Sequence, residues 1–154
     1  MEKTVMPERA ELSEEIYRET LKDAVIRYPE ECCGLLFGSV SEDGSARITQ
    51  SVSMRNRVLP GHRGSHYGID PLELFRKEQL FEKKGLELIG FYHSHPNAAA
   101  EPSAEDKGDM IPGFIYMIVS LMSEKKPVIR AWVKNTEGDR NIESCDIRDP
   151  EIFF

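Results

Sequence analysis

The chain has 154 residues, of which 40% are hydrophobic and 31% charged, and its formal net charge of −7 predicts a single acidic globular domain. This charge argues against general binding to nucleic acid or to anionic membranes, because both are negatively charged. Two of the three cysteines are adjacent and none forms a Cys-x-x-Cys pair, which argues against a structural zinc knuckle and favours reduced thiols in a cytoplasmic protein.

The first predicted elements are a tail and two helices. Residues 1–10 are predicted to form an N-terminal tail before a domain at 11–154, and the absence of an apolar run argues against a signal peptide. Apolar residues recur with a helical period over 12–28, and the proline that follows predicts the end of that helix. An Asp-Pro start at Asp70 predicts a second helix, which continues as far as Gly85.

Segments of apolar or alternating residues predict one central β-sheet. The predicted strands are 33–40, 46–54, 86–95, 114–121, 127–135 and 140–148. The first two are expected to form a hairpin, and Gly138-Asp139 predicts a turn between the last two. Helices and strands together predict an α/β (α+β) fold.

Two histidines one residue apart, His93 and His95, end the predicted strand at 86–95. Residues i and i+2 of a strand point to the same face, so the two rings would project together. Ser103 and Asp106 are three residues apart at a predicted helix start, where they would share one helical face. Two imidazoles and a carboxylate form a good ligand set for a catalytic zinc ion, whose fourth position stays open for water.

Each half of this pattern also has an ordinary structural explanation. A lone His-x-His pair is a weak metal signal, and Ser-x-x-Asp at a helix start is often only a cap. The two motifs in this order, with eleven residues from His95 to Asp106, favour the metal site.

The complete pattern resembles the metalloprotease signature of the JAB1/MPN/Mov34 (JAMM) domain family. The matching residues are His93, Ser94, His95, Pro96, Ser103 and Asp106, with seven residues between the second histidine and the serine. The resemblance covers roughly 17–135 and is to compact prokaryotic members, some of which act on ubiquitin-like sulfur carriers.

The family signature also contains a glutamate upstream of the histidines. The family phrase Pro-x-Glu-x-Cys-Gly aligns with Pro29, Glu31, Cys33 and Gly34. This alignment selects Glu31, with Glu30 as a solvated neighbour. A surface charge at a helix end is the alternative interpretation of Glu31.

The resemblance implies an MPN/JAMM, cytidine deaminase-like architecture, in which a single mixed β-sheet is flanked by helices. It implies that His93, His95 and Asp106 bind Zn²⁺. Glu31 would take a proton from the attacking water and pass it to the leaving amine. Ser103 would donate a hydrogen bond to the carbonyl oxygen as that oxygen becomes anionic.

The long loop at 55–68 is expected to face the substrate. Its candidate substrate-binding residues are Asn56, Arg57, Arg63 and Tyr67. For the arginines, a role as solvated surface charges is the alternative. The implied activity is that of a zinc metallopeptidase, which hydrolyses an amide bond after the C-terminal Gly-Gly of a ubiquitin-like or sulfur-carrier protein.

Two other functions stay open at this point. Some members of the family have lost the ligands and are non-catalytic scaffold domains, and a hydrolase of small amides would need a closed pocket. The apolar end at 152–154 would either support a homodimer or cover the core. No nucleic-acid or membrane partner is expected.

Overall fold

Seven strands and three α-helices form the part of the chain that this computed structural model describes, residues 5–123, 126–135 and 142–148, with 145–148 given by their backbone alone. In chain order they are β1 (Arg9–Leu12), α1 (Glu14–Arg27), β2 (Cys33–Val40), β3 (Ser45–Met54), α2 (Pro71–Glu82), β4 (Glu87–His95), α3 (Ala104–Asp109), β5 (Ile115–Ser120), β6 (Val128–Lys134) and β7 (Ile142–Arg148), with a short 3₁₀ turn at Pro60–His62. Within these ranges, every helix is too short or too polar to span a membrane. The predicted turn at 138–139 and the apolar end at 152–154 lie outside the described residues.

The strands form one mixed sheet in the order β1-β3-β2-β4-β5-β6-β7, which curls until β1 also pairs with β7. β1 runs parallel to both of its neighbours and β4 runs parallel to β5, whereas the other pairs are antiparallel. The predicted α/β fold with a single mixed sheet and a β2–β3 hairpin is therefore confirmed. The closure of the sheet through β1 is a feature that the sequence does not predict.

The predicted tail at 1–10 is wrong at its C-terminal end. Ala10 belongs to β1 and is fully buried. The first helix begins two residues later than predicted, at Glu14, because Ser13 caps it and its Oγ accepts a hydrogen bond from the backbone N–H of Ile16 at 3.2 Å. A strand of four residues has only two inward side chains, which is too short a pattern for the alternation to be recognised.

Two hydrophobic clusters hold the helices against the sheet. α1 contributes Ile16 to the first cluster and α2 contributes Phe81 to the second. The ring of Phe81 stacks on that of Phe37 with 4.4 Å between centroids. On the other helix, Asp23 accepts a hydrogen bond from the hydroxyl of Tyr92 at 2.8 Å, which ties α1 directly to β4.

β4 contains an irregularity that changes which side chains share a face. Its register with β2 shifts between Gly90 and Leu88, which leaves Ile89 unpaired as a β-bulge. Leu88 therefore packs in the same cluster as Phe91, although strict alternation along the strand would place these two side chains on opposite faces. From Gly90 onward the pairing is regular, and the two histidines at the end of β4 lie side by side as predicted.

Candidate functional site

β4 and α3 bring three potential metal ligands together. Nε2 of His93 lies 3.2 Å from Nε2 of His95, and these atoms lie 3.2 Å and 3.1 Å from Oδ2 of Asp106. Both rings are buried, with exposed fractions of 1% and 6%. Across the described part of the chain, these residues form the one group of His, Cys, Asp and Glu side chains whose ligand atoms converge closely enough to hold an ion.

Asp106 faces the histidines because Ser103 starts α3 with a reciprocal capping box. The Oγ of Ser103 accepts from the backbone N–H of Asp106 at 3.0 Å, and the N–H of Ser103 donates to Oδ2 of Asp106 at 2.9 Å. The hydroxyl hydrogen of Ser103 has no acceptor among the residues that the structure describes. A capping role and a role as hydrogen-bond donor are therefore compatible, although the sequence presents them as alternatives.

Three consecutive backbone carbonyls fix the loop between β4 and α3. Ser120 Oγ, His95 Nδ1 and Trp132 Nε1 donate to the carbonyl oxygens of Ala98, Ala99 and Ala100 at 2.6, 2.7 and 2.9 Å. A carbonyl oxygen can only accept, so His95 carries its hydrogen on Nδ1 and directs the lone pair of Nε2 toward Asp106. This second hydrogen bond is the kind that orients a metal-binding histidine.

The donor atoms fit a divalent metal ion. With its hydrogen on Nδ1, the neutral ring of His95 places a lone pair 3.1 Å from the carboxylate oxygen of Asp106, and the two repel unless a cation lies between them. Zinc binds such ligands at about 2.0–2.1 Å, so two ligands at a tetrahedral angle lie about 3.3 Å apart. The observed separations of 3.1–3.2 Å agree with this distance.

Hydrogen bonding keeps the carboxylate of Asp106 ionised. Burial alone would raise the pKa of Asp106, but hydrogen bonds from His93 and His95, whenever Nε2 of a ring carries a proton, and from the N–H of Ser103 hold that pKa well below 3.8. Burial also opposes the charged form of His95, yet its bonds to Asp106 and to the carbonyl of Ala99 raise its pKa. A proton is therefore the competitor of a metal ion at His95.

His93 is held by packing rather than by a second hydrogen bond. Its Nδ1 is buried and has no hydrogen-bond partner in the described ranges of the chain. The ring of Tyr67 stacks on it with 4.4 Å between centroids and 21° between planes. Burial lowers the pKa of His93, which favours the neutral imidazole that binds metal.

Glu31 lies in the turn before β2 and is only 5% exposed. Its backbone N–H donates to the carbonyl of Arg63 at 2.6 Å. Burial raises the pKa of Glu31 from 4.5 to about 7, against a lowering by His95 and with a further increase from Asp106. The carboxyl can therefore gain or lose a proton near neutral pH. The neighbouring Glu30 is half-buried, and its carboxylate is 4.0 Å from Nη1 of that arginine.

The loop at 55–68 is organised around Asn56. The amide nitrogen of this buried side chain donates to the carbonyls of Glu31 and His66 at 3.2 Å and 3.0 Å. Its amide oxygen accepts from the N–H groups of Val58 and Gly68, each at 3.1 Å. All four hydrogen-bonding positions of the amide are thus used inside the protein.

The other three predicted substrate-binding residues are placed differently. Tyr67 lies against His93, beside the three ligand atoms. Arg57 has an exposed side chain. The Nε of Arg63 donates to the carbonyl of Val58 at 2.6 Å, so one part of its guanidinium belongs to the loop.

Two features of the site escape sequence reasoning. The carbonyl of Ala99, which fixes the tautomer of His95, carries no signal because every residue has a carbonyl. The contact between Nε2 of His66 and Oε2 of Glu105, at 2.9 Å, connects the loop to α3 across a long stretch of sequence. For this contact, the sequence shows only that Glu105 is next to the predicted ligand Asp106 and that His66 lies in the predicted substrate loop.

The adjacent cysteines have no place in the chemistry of this site. Cys32 and Cys33 are unpaired and buried, and burial raises the pKa of each thiol to about 12. The backbone N–H of Cys32 donates a hydrogen bond to Oγ of Ser94 at 2.8 Å, so the serine between the two histidines has a structural role.

Comparison with known proteins gives the same family as the motif. The desampylase of Haloferax volcanii is 36% identical over 93 residues, which are 60% of this chain and 63% of that protein. The chain therefore matches less than two thirds of the length of this curated relative. A probable TtuB-protein conjugate cleaving protease from Thermus thermophilus is 45% identical over 40 residues, 26% of this chain and 27% of that protein.

The fold is also found in a solved structure. The solution structure of a Desulfitobacterium hafniense protein superposes with a TM-score of 0.80 at 29% identity, over 93% of this chain and 94% of that one. The family model for prokaryotic homologs of the JAB domain matches residues 13–135, most of the chain. The resemblance seen in the sequence is thereby confirmed: the chain belongs to the prokaryotic homologs of the JAB domain.

Proposed function

We propose that this chain is a zinc-dependent isopeptidase, which hydrolyses the amide bond after the C-terminal Gly-Gly of a ubiquitin-like or sulfur-carrier protein. The observation that carries the proposal is the convergence of three ligand atoms within 3.2 Å of one another beside a buried carboxyl whose pKa is about 7. The names of the desampylase and of the TtuB-conjugate protease support the substrate class.

His93, His95 and Asp106 would hold the zinc ion. When bound, zinc supplies a Lewis acid that lowers the pKa of water and polarises a carbonyl group. The protein's part is to present one ionised carboxylate and two neutral imidazoles with little rearrangement. The bonds from Ser103 to Asp106 and from His95 to Ala99 O provide that arrangement.

Glu31 would move the proton. A general base works best when its pKa is close to the working pH, and burial brings Glu31 to about 7. Its carboxylate would take a proton from the attacking water, and the resulting carboxylic acid would return that proton to the amine that leaves.

Ser103 would stabilise the carbonyl oxygen as it becomes anionic. The oxygen of its hydroxyl is used in the helix cap, whereas its hydrogen has no acceptor in the described segments of the chain and would donate to the substrate. Removal of one such donor typically lowers kcat by about 10²–10³.

The loop at 55–68 would receive the tail of the carrier protein. Tyr67, which stacks on His93, would line this path, and the exposed Arg57 and the remaining N–H groups of Arg63 would contact the carrier. Asn56 would act by holding the loop in position, because its amide is fully used within the protein.

The proposed location is the cytoplasm, which the two unpaired, buried cysteines support. Self-association through 152–154 stays a prediction. A non-catalytic scaffold would have no use for converging ligands and a buried carboxyl of raised pKa, so these features favour the enzyme.

The test is cleavage of defined conjugates. TtuB and ubiquitin, each joined through the C-terminal carboxyl to a lysine side chain, would be incubated with the zinc-loaded protein and analysed by mass spectrometry. We expect the free carrier to appear, and to disappear with chelator. Glu31→Gln should retain zinc, measured after dialysis, and lose cleavage. Two results would contradict the proposal: wild-type protein that holds no zinc after dialysis, or a Glu31→Gln variant that cleaves the conjugates as well as wild type does.

A further inference from the structure

A cavity of about 310 Å³ lies beside Glu31, between the end of α1, the turn before β2 and the loop at 55–68. Its lining residues are Arg27, Glu30, Glu31, Arg55, Asn56 and Arg63. Three arginines and two glutamates line this space, and the pKa of Glu31 of about 7 leaves that carboxyl partly neutral, so positive charge is in excess here in a protein whose net charge is −7. A concentration of positive charge in an acidic protein indicates an anionic ligand.

The three arginines are not equally free to bind a ligand. Arg27 is committed to the fold: its Nε pairs with Asp23 at 3.1 Å, and its terminal nitrogens donate to Met54 O and Ser53 Oγ at 2.7 Å and 2.8 Å. It therefore contributes a fixed positive charge to the cavity wall rather than a movable binding group.

Arg55 and Arg63 have donors to spare. Arg63 uses Nε for the carbonyl of Val58, and its Nη1 is a distant 4.0 Å from Glu30. Arg55 is exposed and, within the described part of the chain, has no side-chain partner. Guanidinium groups bind carboxylates through paired, charge-assisted hydrogen bonds, so these two side chains suit a carboxylate.

The position of the cavity indicates which part of a substrate would carry that carboxylate. In the proposed reaction Glu31 passes a proton to the leaving amine, so that amine lies next to Glu31 and hence next to the cavity. In an α-amino acid, the carboxylate carbon is about 2.5 Å from the amine nitrogen, given the N–Cα and Cα–C bond lengths. A lysine side chain would reach the cavity only through an acidic residue of its own protein.

We propose that this cavity selects leaving groups that carry a carboxylate close to the released amine. The inference rests on the proposed isopeptidase function and specifies its substrate class. Two sources share this chemistry: an amino acid joined to the carrier through its α-amine, and a target lysine with an acidic residue beside it. Arg55 is the principal binding residue, and Glu30 opposes the bound anion from the same wall.

The experiment compares matched substrates. TtuB joined through its C-terminal carboxyl to the α-amine of alanine is prepared with a free carboxylate and as the carboxamide. A second pair links TtuB to the lysine of a short peptide with Glu or Gln beside that lysine. kcat/KM is measured for each, and dissociation constants are measured with the inactive Glu31→Gln variant, so that binding is seen without turnover.

We expect the acid to be preferred over the neutral form by about tenfold, the size of a hydrogen bond to a charged group. Arg55→Gln should reduce this ratio to about twofold or less, and Arg55→Lys should retain part of it. Glu30→Gln should raise the ratio, because it removes the opposing charge. Arg18→Gln, which removes the same charge from the exposed face of α1, should leave it unchanged.

The substrate pair with the larger ratio of kcat/KM for the acid to kcat/KM for the neutral form identifies the source of the carboxylate, either an amino acid or an acidic residue beside a target lysine. Equal rates and affinities for acid and neutral forms in both pairs would overturn the inference while leaving the isopeptidase function intact. An acid preference that survives Arg55→Gln, or that Arg18→Gln removes equally, would also overturn it. Cleavage of none of these substrates by zinc-loaded wild-type protein would contradict the proposed function, and this inference with it.

Discussion

Replacement of Glu31 by Gln should stabilise the fold at alkaline pH. The pKa of Glu31 is raised by burial from 4.5 to about 7, so the folded chain binds this proton more tightly than the unfolded chain does. Between these two values the folded state holds more protons, and the free energy of unfolding therefore falls as the pH rises through this window. The amide of Gln does not ionise and escapes this loss.

The raised pKa of Glu31 determines how large this difference in the free energy of unfolding is. The difference between 4.5 and about 7 corresponds to at most about 3.4 kcal/mol, at about 1.36 kcal/mol for each pH unit. The cavity beside the carboxyl lets water screen part of its charge. We therefore expect the stability advantage of Glu31→Gln over wild type to grow by about 2 kcal/mol between about pH 5 and about pH 8.

The assay is urea denaturation at several pH values, with chelator present so that metal binding does not add to the stability of either protein. Glu30→Gln is the matched control, because it makes the same change one residue away at a more exposed position. Its difference from wild type should stay within about 0.5 kcal/mol. A pH-independent advantage for Glu31→Gln, or a variant less stable than wild type near pH 8, would refute the reasoning.

Three further changes have definite expected results. Asp106→Asn should abolish zinc retention after dialysis and cleavage while the far-ultraviolet circular dichroism stays native, and retention of zinc would remove Asp106 from the ligand set. Ser103→Ala should lower kcat by about 10²–10³, because the donor to the carbonyl oxygen is lost. It should also lower the free energy of unfolding by about 1 kcal/mol, because the helix cap is lost. A loss of stability without a loss of kcat would leave Ser103 only its capping role. Gly34→Ala should destabilise by more than about 3 kcal/mol, because its new methyl group would overlap the ring of Tyr92 and the backbone of β3; an unchanged Tm would contradict this packing.

Local patterns predict this fold well wherever they are long enough. The strand at 33–40 is found with its bounds unchanged, because a short and mostly apolar run between turn signals leaves little alternative. β1 is missed because four residues make too short a pattern, and its partners come from distant parts of the sequence. The bulge at Ile89 is missed because an extra residue in a strand has no signature in the hydrophobic pattern itself.

Local patterns likewise predict some features of the candidate site and miss those that depend on distant segments. The spacing of His93, His95 and Asp106 predicts that they meet, since a strand and a capped helix start each impose a fixed side-chain direction. The role of Asn56 could not be predicted, because its four partners depend on how a long loop folds back on itself. The cavity at Arg55 likewise combines segments whose proximity only the folded chain defines.

The loop at 97–102 is anchored by its main-chain oxygens, and this has a thermodynamic consequence. Ser120 and Trp132 donate hydrogen bonds to it from the neighbouring strands and are not themselves proposed ligands, so zinc uptake should not be coupled to a folding event. Titration calorimetry would then show a heat-capacity change close to zero, together with protons released in proportion to the protonated fraction of His95. Evolution could also vary the side chains at 98 and 99 freely, because the information that positions the ligand is held by atoms that every amino acid shares.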